Sequence, residues 1–137
     1  MTKLRIKDRM IRSIALRKGE VVLRADFERM GSPSQVSKAL KDLVSIGRLV
    51  RLGYGVYARA VPSVLSGRPI PRQPLESLAW EALRRLNVDV ALGKAPRDYA
   101  EGGTTQIPMR AIFNTGLRRI SRKMVVGRRS VSYENNY

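Results

Sequence analysis

Three features of this 137-residue chain predict an α+β fold. Hydrophobic residues recur at helical spacing over 4–17, 33–46 and 75–86. Short apolar runs at 21–23, 48–52 and 56–59 are bounded by turn residues and read as strands. The last two runs are joined by Gly53-Tyr54-Gly55, a hairpin tip that follows directly on a capped helix.

The first helix is expected over 4–17. Ile6, Met10 and Ile14 recur every four residues, Ile11 widens the stripe, and Gly19 stands where a C-cap glycine would. Arg5, Arg9 and Arg12 fall on the other side, as a solvated face or as phosphate contacts. A small strand at Val21–Leu23 leads into a short helix over 24–30 with Phe27 and Met30 turned inward. Ser32-Pro33-Ser34-Gln35 is the clearest local signal. Ser32 can cap a helix, Pro33 suits the first helical position, and Gln35 completes a capping box. The helix so started runs over 33–46, and Gly47 stops it. Val36, Leu40, Leu43 and Val44 cover one face; at about 100° per residue, Ser34, Lys38, Lys41 and Ser45 cover the opposite one. Gln35 and Ser37 lie on its flanks.

In the hairpin, Val50 and Leu52 are expected to pair inward with Val56 and Ala58, leaving Arg51, Tyr57 and Arg59 on the other face. Tyr57 alone of these three is expected in the core. Strand, helix, turn, helix and hairpin in this order form the pattern of a winged helix-turn-helix, which pushes one helix and one wing out of a small core. On that pattern Ser34, Gln35, Ser37, Lys38 and Lys41 would reach base edges in the major groove. Arg51, Tyr54 and Arg59 would follow the backbone or dip into the minor groove.

Residues 61–74 hold four of the seven prolines and are expected to form an extended connector. Pro74 opens a helix through 86 with an apolar stripe of Leu75, Leu78, Ala79, Leu83 and Leu86, beside which Trp80 seals the core. Beyond the Gly102-Gly103 break, strands are expected at 106–113, 119–126 and 130–133. Turns at Asn114-Thr115-Gly116 and Gly127-Arg128 would close them into a small antiparallel sheet. Arg118, Arg119, Arg122, Lys123, Arg128 and Arg129 crowd that sheet and would repel one another if unpaired. An anionic ligand is therefore expected there, either nucleic acid or an acidic protein face. The organisation expected is a winged helix-turn-helix at 1–60, a connector at 61–74 and a helix-plus-sheet basic domain at 75–137.

Composition narrows the function classes. There is no cysteine and no histidine, which removes thiolate and imidazole metal sites, cysteine nucleophiles and the commonest general base. With its few carboxylates unclustered, the chain is expected to be no enzyme and to carry neither cofactor nor metal. Lys and Arg total 27 against 11 Asp and Glu, a net charge of +16. Residues 1–60 carry +9 and residues 61–137 carry +7, so the excess is spread along the chain and is not a basic tail. Such a field attracts polyanions, with DNA or RNA ahead of an anionic membrane surface. No segment approaches the roughly 20 apolar residues of a membrane span, and the basic N-terminus lacks a signal-peptide core. A cytoplasmic protein is expected.

The segments RLGYGVYAR (51–59), GRPIPR (67–72), TTQIP (104–108) and GRRSVSYE (127–134) together resemble the short AbiEi-like antitoxins of type IV toxin–antitoxin systems, over nearly the whole chain. The resemblance implies an N-terminal winged helix that binds inverted repeats in its own promoter and represses the operon. It places DNA contacts on Ser34, Gln35, Lys38, Lys41 and the wing from Arg51 to Arg59. It also implies a cognate toxin protein as partner, and winged helices in general often act as homodimers on two half-sites. Longer members carry a larger C-terminal domain where this chain has residues 75–137. Two other readings fit the charge: an RNA-binding or ribosome-associated protein, and a mobile-element or phage inhibitor acting by protein contact.

Overall fold

In the computed structural model, which describes residues 5–88, 90–92, 110–116 and 120–134, the α+β class is plain from the element order. Helix α1 (Ile6–Leu16) is followed by β1 (Val21–Leu23), a 3-10 turn (Arg24–Phe27), α2 (Pro33–Ser45), β2 (Leu49–Gly53) and β3 (Val56–Pro62). Then come β4 (Pro69–Pro71), α3 (Leu75–Arg85), β5 (Ala91–Leu92), β6 (Arg110–Asn114), β7 (Val125–Val126) and β8 (Arg129–Glu134). The chain divides into two units, Met1–Arg51 with Gly55–Arg72, and Leu52–Tyr54 with Gln73–Tyr137.

In the first unit, local chemistry fixes both ends of α2. Ser32 Oγ accepts from Gln35 N at 3.2 Å, and Gln35 Oε1 accepts from Ser32 N at 2.9 Å, the reciprocal capping box. At the other end Gly47 takes φ +81°, with Gly47 N–H donating to Val44 O and Arg48 N–H to Leu43 O. These two bonds satisfy carbonyls that the helix leaves open. Val36, Ala39, Leu40 and Leu43 then bury against Met10, Val22, Phe27 and Leu49, with Tyr57 packed on the cluster as a core residue. Each fully buried Val, Leu, Met or Phe of this cluster contributes about 1.5–3 kcal/mol.

Strand β1 pairs antiparallel with β3, Val22 opposite Tyr57, and β3 lies between β1 and β2. Three expectations change here. The helix expected over 24–30 is a single 3-10 turn, held by Asp26 Oδ2, which accepts from Leu23 N at 2.9 Å. Helix α1 ends at Leu16 with Arg17 extended as C-cap, and Gly19 is not in the left-handed region. Residues 61–74 are not a connector: Ser63–Gly67 turns the chain back, and β4 pairs antiparallel with β3, Val61 opposite Ile70. Pro69 and Pro71 leave the strand extended but with two fewer donors, which suits an edge.

In the hairpin, Leu52, Val56 and Ala58 are buried as expected, and Val50 departs from the expectation. Leu49 and Leu52 are buried and Val50 is half-buried. Leu49 joins the first core, while Leu52 belongs to the second unit, so one strand serves both. The turn is Tyr54-Gly55 with Gly55 at φ +67°. Gly53 is required for a different reason: a Cβ there would overlap the Lys123 carbonyl oxygen.

In the second unit, α3 buries Leu75, Leu78, Ala79, Ala82 and Leu83. Asn87 at φ +63° ends it, and Val88 N–H donates back to Leu83 O at 2.8 Å. Trp80 is half-buried and lies 6.4 Å from Phe113, ring centre to ring centre. The sheet order is β5-β6-β8-β7. It is mixed, not antiparallel, because β6 and β8 run parallel, Ala111 opposite Val131 and Phe113 opposite Tyr133. The expected Gly127-Arg128 turn then makes β7 and β8 the antiparallel pair. Of the strand expected over 119–126, only Val125–Val126 is strand. Residues 106–109 and 119 lie outside the described residues.

Tyr133 donates its hydroxyl to Arg122 O at 2.6 Å. Burial pushes this phenol up to about 12 from its ordinary value of 10.0, with the Arg122 charge opposing the shift. A raised value means the neutral form is favoured by folding. Its contribution to stability is full below pH 10 and is lost as pH rises through about 12. Absorbance titration should show one tyrosine ionising last, near pH 12, and Tyr133→Phe should remove that step; a last step surviving in the variant would contradict the assignment.

Candidate nucleic-acid interface

Burial of the Val36–Ala39–Leu40–Leu43 face leaves the opposite face of α2 in solvent, and the polar residues fall there by helical geometry alone. Ser34, Lys38, Lys41 and Ser45 are all exposed on it, and Gln35 and Ser37 are exposed on its two flanks. Gln35 spends Oε1 on the cap, so its amide N–H groups are the part able to act outward. On the Ser37 flank, Arg24 donates to Ser37 Oγ and, at 2.8 Å, to Pro33 O. That bond is invisible in sequence, because Arg24 reads only as the start of a short helix.

On the Gln35 flank, α1 and α2 enclose a groove of about 550 Å³. Arg5, Lys7, Arg9 and Lys38 line it, with Asp42 as the one carboxylate among the described residues. Ile6, Met30 and Ala39 supply apolar surface within it. Ile6 lies against Gly31, just before the Ser32 cap, so the start of α1 sits beside the start of α2. Arg12, sequence partner of Arg5 and Arg9, is exposed but does not line this groove.

The wing candidates separate. Arg51 and Tyr54 are exposed, Tyr54 by 79%. Arg59 is not an outward-facing side chain. It is half-buried, and its guanidinium donates to both Ile14 O and Arg17 O at the C-terminal end of α1. Ile14 O also accepts from Arg17 N–H at 3.2 Å, and a cation suits the negative end of the helix dipole. Nearby, Arg72 forks onto Glu20, its Nε at 2.8 Å from Oε1, and this holds the Glu20 carboxyl below its usual range.

The basic cluster of the second unit is partly satisfied within that unit. Arg129 forms an ion pair with Glu76, its Nη1 at 2.9 Å from Oε2, and burial pulls its guanidinium below the ordinary value. Arg122 donates to Tyr54 O at 2.9 Å. Of the six cations that would repel if unpaired, Arg129 has its acid in Glu76, more than 50 positions away in sequence. Lys123 and Arg128 are exposed; Arg118 and Arg119 lie outside the described residues. Among the described residues no cluster of acidic side chains could hold a metal ion, and no helix is long and apolar enough to cross a membrane.

Comparison with curated proteins gives no match. A family model described as "Family of unknown function (DUF6088)" matches residues 5–137, nearly the whole chain, and the protein belongs to that family.

Proposed function

We propose that this protein is a sequence-specific double-stranded DNA-binding protein of the autoregulating repressor type, reading the major groove with α2. One observation carries the reading: the polar, slim and basic face of Ser34, Lys38 and Lys41 is fully outward on a helix whose other face is locked in a core. A 13-residue helix is about 20 Å long and fits a groove about 12 Å wide. Its N-terminal end is free of bulky apolar side chains, which is what approach to base edges needs. Read as a winged helix-turn-helix, β1, the 3-10 turn, α2 and the β2–β3 hairpin stand in the order that pattern requires. Arg51 and Tyr54 are then the wing contacts, and Arg59 is part of the scaffold. The resemblance to AbiEi-like antitoxins supports promoter autoregulation, with a toxin as a second partner.

Titration of the DNA upstream of its own gene at rising salt tests the proposal. Binding should weaken steeply, with a slope of about −0.9 per phosphate contacted, and should prefer that duplex over a scrambled one and over structured RNA. Affinity that ignores salt, or that favours the RNA, would overturn it.

A further inference from the structure

A helix lying in the major groove has a phosphate strand along each lip, so it needs cations on both flanks. The two flanks of α2 are differently equipped. Ser37 and Gln35 lie on opposite sides of the helix. The Ser37 side holds Arg24, already engaged with Pro33 O and Ser37 Oγ. The Gln35 side opens into the α1–α2 groove, where Arg5, Lys7, Arg9 and Lys38 converge.

We propose that this groove seats the sugar-phosphate backbone of one DNA strand, with Arg5 and Arg9 as its principal phosphate contacts. The inference rests on the DNA reading above and adds which surface meets the backbone. Arg5 and Arg9 are both exposed and stand four residues apart, a separation of about 6 Å along the chain axis of α1. The start of α1 lies beside the N-terminus of α2, where the helix dipole also favours an anion. Apolar surface from Ile6, Met30 and Ala39 offers nothing to hydrogen-bond a base, which suits a contact that positions without specifying. Asp42 lies one turn beyond Lys38, away from the helix start, and its charge marks where the strand must leave the groove. Arg12, outside the groove, takes no part.

The test compares the full-length protein with Arg5→Ala/Arg9→Ala, with Asp42→Asn and with Arg12→Ala, on the upstream duplex and on a scrambled duplex of equal length. The Arg5/Arg9 side chains are exposed, so the double variant should melt where the parent does. It should weaken both duplexes by the same factor, roughly tenfold or more, and flatten the salt slope by about 1.8, while leaving the preference between them unchanged. Asp42→Asn should tighten both duplexes several-fold, and Arg12→Ala should change neither slope nor preference. Uncharged methylphosphonate linkages flanking the preferred site should weaken the parent more than the double variant. A parent that prefers its upstream duplex, with a double variant of unchanged slope, would overturn the groove and leave the DNA reading standing. A parent that binds no duplex would take both down.

Discussion

Replacing Arg59 with alanine should destabilise the first unit by about 3 kcal/mol, the sum expected for two charge-assisted hydrogen bonds to carbonyls at the end of α1. The loss is large because both acceptors, Ile14 O and Arg17 O, lie at the C-terminal end of α1, where Ile14 O otherwise receives the Arg17 N–H at 3.2 Å, and the site is half-buried. Arg59→Lys should recover only part of it, since an ammonium keeps the charge but not the planar fork that reaches two carbonyls. Urea or thermal unfolding followed by circular dichroism measures the effect. Under conditions where the variant is folded, its affinity for duplex and its salt slope should match the parent's. A variant with parental stability and weakened DNA binding would contradict the structural role and return Arg59 to the wing contacts.

Arg59 also shows where sequence reading stops. By alternation it is expected on the same face of the hairpin as Arg51, and periodicity treats the two alike. What separates them is the end of α1, 42 and 45 positions earlier in the chain, which no local pattern brings into view. Arg24 with Ser37 and Arg129 with Glu76 are further cases. Local chemistry was far more legible. The Ser32–Gln35 cap, the stop at Gly47 and the outward face of α2 follow from residues within a few positions of one another. The start of α3 after Pro74 and the turns at Gly55 and Gly127 were readable for the same reason.

The C-terminal sheet shows the opposite limit. A parallel pairing of β6 with β8 depends on the path of the chain between them, and strand propensity is blind to direction. The prolines of 61–74 misled in a related way. They restrict φ and remove donors, which argues for extended chain, and β4 is extended; that it returns to pair with β3 is decided by the Ser63–Gly67 turn. There Ser63 Oγ accepts from Leu65 N and Ser66 N, while Gly67 takes φ +74°. For the candidate interface, α2 was visible in sequence and the groove beside it was not, since Arg5 and Arg9 gain meaning only when α1 packs against α2.

The central claim is that the outward face of α2 reads bases, and the double variant Lys38→Ala/Lys41→Ala tests it most directly. Both side chains are exposed and outside the core, so the fold should be kept. Each base contact of this kind discriminates by about 1–3 kcal/mol, so losing two should cost roughly two orders of magnitude in preference for the cognate site. The measurement is the ratio of dissociation constants for the upstream and scrambled duplexes, taken at one salt concentration for parent and variant. The expected result is a ratio that collapses towards one while weak binding to any duplex remains. A variant that keeps the parental ratio would show that sequence is read elsewhere, and α2 would lose its role.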